Sequence, residues 1–370
     1  MVSFYDAPMI TPADDYPLHQ TSRAFRDPGV DRNLYDRFFF CGYPDSGDVY
    51  FAAAFGQYPG RNVADAAFSF VCNGVQRNVR GSRLLGADRL DLHVGPVRVE
   101  LVEPLKQVRL MVDDPASGIT ADLMFSARAV AFEEPHYRWA PGHLTVFDIT
   151  RLTQNGEWEG WIQADGVRHE VHAPTWRGTR DRSWGIRPMG ARDTTAAPDG
   201  PMPTYYWLWA PLNFDDMNVL FDVNEDPDGS RWHENAVITL PGSDVSIYGT
   251  HTYDIGWRPG TRHADGFTMK LQLPTQSIGI TLQPRLTFFM QGIGYSHPTW
   301  GHGMWVGPDE RAYDSFVSAD APEADLLFNH VQILCDAVRD DGVRGMGILE
   351  MLISGPHAPS GFTTYTDVRP

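Results

Sequence analysis

Three cysteines in 370 residues are too few and too widely spaced for a disulfide framework or a zinc motif. Cys41, Cys72 and Cys335 therefore read as reduced thiols, and the expected compartment is the cytoplasm. Long apolar runs are also missing. No window reaches the ~18 consecutive apolar residues of a membrane helix, so membrane insertion is not expected. The opening stretch, MVSFYDAPMITPADDYP, has neither the basic cluster nor the apolar run of a secretory signal. Basic charge is scarce: 30 Lys and Arg against 47 Asp and Glu leave a net charge of −17. Nucleic acids and anionic membrane surfaces, which need a basic face, are thereby disfavoured as partners. Sustained 3.6-residue periodicity is lacking, and little beyond APEADLLFN (322–330) competes for a helical turn. Gly-x-Ser-x-Gly, the phosphate-binding P-loop and a dinucleotide Gly-x-Gly-x-x-Gly after a strand are all missing. Serine-hydrolase, kinase and dehydrogenase chemistry are set aside accordingly.

Turn signals are abundant. Seven Asn-Gly or Asp-Gly pairs occur, at 73–74, 155–156, 165–166, 199–200, 228–229, 265–266 and 341–342. Such pairs tolerate the positive φ of tight hairpins and mark reversals between antiparallel strands. Between them lie alternating or β-branched runs: VRVELVE (97–103), LTVFDIT (144–150), NVLFDVN (218–224) and SIGITLQ (277–283). VQILCDAVR, Asp341-Gly342 and VRGMGILEMLI spell out a complete hairpin. The expected fold is all-β. So many strands must hide their edges, which points to antiparallel barrels or sandwiches. At 370 residues each half is long enough for its own core. A boundary is expected near the turn-rich QNGEWEGWIQADG, giving domains 1–165 and 166–370, with ARDTTAAPDGPMPT (191–204) as a surface loop.

Four stretches carry candidate chemistry. In RGTRDRSWGIRPMG (177–190), Asp181 stands between Arg180 and Arg182, with Trp184 and Arg187 following. In a strand the flanking arginines point to the opposite face from Asp181. A nearby guanidinium would keep Asp181 ionised, fitting an electrostatic or structural task better than proton donation. In YYWLWAP (205–211), alternation puts Tyr205, Trp207 and Trp209 on one face as a wall for a flat substrate, or simply as core. In GIGYSHPTWGHGMW (292–305), His297 and His302 bracket Trp300, with Tyr295 nearby; histidine suits proton transfer near neutrality. Their spacing fits no metal motif, and no metal is expected. Glu350, in GMGILEMLISG, is the one ionisable side chain between Gly345 and Gly355. Burial there would raise its pKa and make it the preferred acid.

Asp181-x-x-Trp184-Gly185 resembles a motif of the lipocalin-like superfamily of carotenoid 1,2-hydratase (hydroxyneurosporene synthase), tocopherol cyclase and AttH-like proteins. In the hydratases the segment reads His-Asp-His-Asn-Trp-Gly; here arginines, Arg180 and Arg182, replace both histidines. The resemblance implies two calycin-like β-domains around an apolar cavity and acid–base chemistry on isoprenoid-type or polycyclic substrates without a redox cofactor. The sequence reading is thus a cofactor-independent hydratase, dehydratase, isomerase or cyclase, a lyase or isomerase. Glu350, His302, His297 and Asp181 are the catalytic candidates. Tyr205, Trp207, Trp209, Trp184, Trp300 and Tyr295 are the substrate-binding candidates, and Arg180, Arg182 and Arg187 give electrostatic support. The expected partners are a small hydrophobic molecule and at most a second copy of the chain. The rival reading is a lipocalin-like carrier of a hydrophobic ligand, and a cavity under ~300 Å³ would favour a third, an interaction scaffold.

Overall fold

The computed structural model describes residues 31–86, 88–140, 145–190 and 204–370. Within them the regular structure is antiparallel strand with a few short 3₁₀ turns such as Pro59–Arg61 and Met290–Ile293, and irregular segments such as 294–308 and 355–370 connect or follow the strands. Two sheets account for the strands. The main path of the first runs 309–317, 75–84, 63–72, 49–58, 34–44, 176–186, 147–164, 119–127, 107–114, 97–103 and 93–94. The second runs 246–248, 231–239, 218–225, 205–214, 344–354, 331–339, 277–289, 264–272 and 250–257. Each curls into a nearly closed barrel, which removes exposed edges. At the seam of the first, the backbones of Gly81 and Gly95 meet so closely that a Cβ on Gly81 would stand 2.9 Å from Gly95 Cα. Only glycine fits that contact.

Each barrel has an apolar filling of its own. Phe38, Phe40, Phe51, Phe68, Phe125 and Trp158 pack in the first; Leu208, Leu212, Phe221, Phe267, Leu282 and Leu349 pack in the second. A third apolar layer, including Phe39, Tyr43, Tyr50, Trp209, Leu220 and Ile348, joins the outer faces of the two sheets. Strands at this junction are buried on both faces. That accounts for the unbroken run LYDRFFFCGYP at Leu34–Pro44: Phe38 and Phe40 face the barrel interior while Phe39 and Cys41 face the partner sheet. All three cysteines are buried and free. Among the described residues no helix is long and apolar enough to cross a membrane.

Several expectations need correction. Asn155-Gly156 and Asp265-Gly266 lie inside the strands Phe147–Ala164 and Ala264–Gln272 and turn nothing. Gly156 is there because the Phe125 ring occupies its Cβ position, 2.2 Å away. The pairs at 73–74, 165–166, 228–229 and 341–342 do close hairpins. Residues 199–200, and 191–203 of the anticipated loop, lie outside the described residues. Residues 322–330 form turns without a helix. Residue 165 falls in a hairpin of the first sheet, and the chain passes to the second sheet only between Ile186 and Tyr205. The arginine-rich stretch expected to open the second half is therefore a central strand of the first sheet. The strand Asp309–Val317 then returns to pair with Val75–Leu84, so the second half also closes an edge of the first sheet.

Candidate functional site

Where the two sheets face each other, a cavity of about 80 Å³ opens, lined by charged and aromatic side chains from both. One wall is set by register in the first sheet. Arg37, Ser183 and Arg151 are cross-strand partners in one row, and Phe39, Asp181 and Thr153 form the adjoining row. Alternation sends Asp181, Ser183 and Arg187 into the cavity. By the same alternation Arg180 and Arg182 point the other way, into the first barrel. Arg180 Nε donates to Gln154 Oε1 at 2.9 Å, and Arg182 lies 3.9 Å over the Phe38 ring and bonds Asp36. Those two arginines hold the barrel; Arg37, Arg151 and Arg187 hold the cavity.

The facing wall comes from the second sheet, where Gln332, Glu350, Trp209 and Asp222 are successive cross-strand partners. Glu350 is buried and takes hydrogen bonds from Trp207 Nε1 (3.2 Å), His330 Nε2 (2.8 Å) and Gln332 Nε2 (2.6 Å). Tyr50 donates to Gln332 Oε1 at 2.6 Å, which fixes the way that amide points. Burial pushes the Glu350 carboxyl up, but the bonds from His330 and Gln332 and the charges of His330 and Arg151 outweigh it, and the net shift is downward. Asp181 goes the other way. Burial raises its pKa, and the attraction of Arg151, Arg37 and Arg187 only partly opposes that. The two directions run opposite to those expected: burial leaves the Asp181 carboxyl raised, and the Glu350 carboxyl is lowered.

His302 is no proton donor. Its Nε2 lies 3.0 Å from the Ile293 carbonyl oxygen, and its Nδ1 lies 2.9 Å from Arg37 Nη1 and 3.1 Å from Arg187 Nη2. Burial and the two guanidiniums hold it well below the usual histidine value. The neutral ring, with the proton on Nε2, acts as an acceptor that aims two arginines. Tyr295 packs edge-on between His302 and His330, at 4.3 and 4.5 Å, and lines the cavity. His297 lies elsewhere; its Nδ1 accepts the backbone N–H groups of Thr299 and Trp300, and it does not line the cavity. Trp184 and Trp300 are not lining residues either, whereas Tyr205, Trp207 and Trp209 are.

The sequence reading missed Arg37, Arg151 and His330. A signal existed: each is a titratable residue set beside apolar residues of a strand-like run, as in DRFFF, DITRL and NHVQIL. It also expected a greasy chamber, whereas three guanidiniums, two carboxylates and an imidazole share this one with the aromatics. A larger depression of about 400 Å³ is lined by the Leu90–Leu101 segment alone, with Asp91, His93, Arg98 and Glu100 among its residues, and takes nothing from the second sheet.

Residues 10–363 match the family model described as a family of unknown function, DUF8625. The chain belongs to that family. No curated protein matches its sequence. Among solved structures, this DUF8625 chain is similar to a protein assigned as AttH from Nitrosomonas europaea, with 13% identity and a TM-score of 0.55 over 91% of this chain and 98% of that one. It is also similar to kievitone hydratase from Nectria haematococca, at 13% identity and TM-score 0.49 over 86% and 89% of the two chains. A third is CghA with Sch210972, at 11% identity and TM-score 0.49 over 87% and 89%. The DUF8625 chain therefore shares its two-barrel fold with the Nitrosomonas europaea protein assigned as AttH.

Proposed function

We propose that this protein is an acid–base enzyme of the hydratase, dehydratase, isomerase or cyclase type, working with its own side chains at the junction cavity. The observation that carries the reading is the convergence of the Glu350–His330 pair, Asp181 and three arginines on one space. Glu350 accepts from His330 Nε2, which orients the ring and leaves Nδ1 as the nitrogen that would take a substrate proton when the ring is neutral. Asp181, its carboxyl raised by burial, is the matching proton donor. Arg37, Arg151 and Arg187 would stabilise negative charge developing on a substrate oxygen, as in an enolate, and Trp207, Trp209 and Tyr205 would hold a flat conjugated body. The cavity of about 80 Å³ is below the ~300 Å³ usual for ligand pockets, and on volume alone it favours the scaffold reading. It also tells against carriage of a bulky lipid. A scaffold, however, has no need of paired acid and base groups facing a shared space. The reading therefore settles on a small oxygen-bearing substrate, or on the reacting end of a larger one.

Proton transfer to carbon can be tested before the natural substrate is identified. The protein is incubated in D₂O with a panel of small enones, hydroxylated cinnamoyl compounds and enolisable ketones, and deuterium uptake and hydration are followed by NMR. Wild-type protein is expected to label or hydrate members of the panel, with His330→Ala and Asp181→Asn each slowing this by about 10²–10⁴-fold. Equal rates in wild type and both variants would remove the proposed chemistry. Recovery of tightly bound but unaltered compounds would leave the carrier reading in its place.

A further inference from the structure

Behind the aromatic wall lies a second cluster of polar groups, which the proposed reaction does not use. Asp222 and His233 project from the adjacent strands Asn218–Glu225 and Arg231–Thr239 of the second sheet, and Glu134 reaches them from the first. All three are buried, and one ligand atom from each lies within 4.8 Å of the others. Asp222 is fully buried, yet neither of its carboxylate oxygens has a hydrogen-bond partner, and His233 Nε2 has none. His233 Nε2 stands 2.8 Å from Asp222 Oδ1, but off the line that a ring N–H bond requires. A buried carboxylate that accepts no hydrogen bond costs free energy, which a fold keeps only where something else offsets it. Two donor atoms about 3 Å apart and not bonded to each other are the arrangement of two ligands to one ion, given metal–ligand bonds of ~2.0–2.2 Å.

We propose that Glu134, Asp222 and His233 form a binding site for a divalent transition-metal ion of the zinc–manganese kind, which ties the two sheets together beside the catalytic cavity. One imidazole and two carboxylates are a borderline donor set suited to such ions. The third ligand is already oriented. Glu134 Oε1 accepts from Thr153 Oγ1 (2.5 Å) and Trp209 Nε1 (3.1 Å), and Oε2 accepts from Arg151 (2.9 Å). A carboxylate offers about four acceptor positions, so one remains for an ion. Outer partners of this sort hold a ligand in place, and their loss weakens metal sites. Trp209 is shared: its indole N–H bonds Glu134, and the ring lines the cavity that holds Glu350 and Asp181. The site's function is to fix that wall, independently of whether the proposed reaction is correct.

Because the site is enclosed, the test loads the ion during synthesis. Full-length protein is produced in medium supplemented with Zn²⁺ or Mn²⁺, dialysed against metal-free buffer and analysed for metal content. One retained ion per chain is expected for wild type, with a thermal midpoint higher than that of protein made under chelation. Asp222→Asn, His233→Gln and Glu134→Gln are each expected to cut the retained metal at least about tenfold. Protein made with Co²⁺ should show ligand-field absorption bands in wild type alone, a readout that needs no variant to fold. Wild type without stoichiometric metal and without the cobalt bands overturns the site. So does metal retained equally by folded variants, which would mean an adventitious ion bound elsewhere.

Discussion

Asp36 and Arg182 show how a residue-scale reading of charge goes astray. Arg182 was counted as electrostatic support for the site, although strand alternation already turns it to the face opposite Asp181. Its partner is Asp36, one strand over and 146 residues away in sequence. Asp36 also takes Arg89 Nη2 at 3.4 Å, and all three side chains are buried within the first barrel. Removing the acid would leave two guanidiniums in an apolar interior. Asp36→Ala is therefore expected to destabilise the protein by about 3–5 kcal/mol in urea unfolding, because a broken buried pair strands its charge. Asp36→Asn retains an acceptor for Arg182 and should lose less. A loss below about 1 kcal/mol for the alanine variant would mean that solvent reaches Arg182. The same residue-scale logic misjudged the direction of the shift at Glu350. Isolation among apolar neighbours in sequence made Glu350 look protonated, but His330, Gln332 and Trp207 arrive from other strands to hold its charge.

At the scale of strands, alternation and turn chemistry were legible and pairing was not. The faces of Tyr205–Phe214 follow from alternation, with Tyr206 and Leu208 in the barrel filling and Trp207 and Trp209 at the junction. The hairpin at Asp341-Gly342 follows from its turn residues. Arg37 and Arg151 each left a trace in the sequence, but their meeting beside Ser183 did not, because that row depends on the register of three strands far apart in sequence. Glycine misled for a related reason: within a strand it signals a close approach as often as a turn. Gly178 is the sharpest case, since a Cβ there would lie 1.9 Å from the Cys41 carbonyl oxygen and 2.6 Å from Trp158 Nε1. Trp158 in turn donates to that same oxygen at 2.9 Å. Gly266, also in a strand, has nothing within 4 Å of its Cβ position. Gly178→Ala is expected to destabilise by at least about 1–3 kcal/mol through overpacking. Gly266→Ala should stay within about 0.5 kcal/mol of wild type. Paired urea titrations compare the two, and equal losses would show that the close approach at Gly178 can relax.

Across the whole molecule, stability and the site are joined by the same buried groups, so pH probes both. The folded-state pKa of His302 lies well below its ordinary value of 6.5, because burial and the charges of Arg37 and Arg187 disfavour a third cation. Between that depressed value and about 6.5, the unfolded chain binds a proton that the folded chain refuses. Stability therefore falls as pH drops through this window, by up to about 1.4 kcal/mol per pH unit for one such group. Glu350, also depressed, adds a loss of the same sign at lower pH, below its ordinary value of 4.5. Asp181 opposes both, since a raised carboxyl takes up its proton more readily when folded. Glutamine at 302 keeps an acceptor for the arginines and a donor for Ile293 but cannot titrate. Urea unfolding of wild type and His302→Gln at pH 7.5, 6.5 and 5.5 separates the contributions. The stability difference between the two proteins should change little from 7.5 to 6.5, then move by about 1 kcal/mol in favour of the variant by 5.5. Parallel curves down to pH 5.5 would mean that His302 takes up its proton in the folded protein. In that case the two guanidiniums would have to move away from its ring, and the arginine wall of the cavity would open with them.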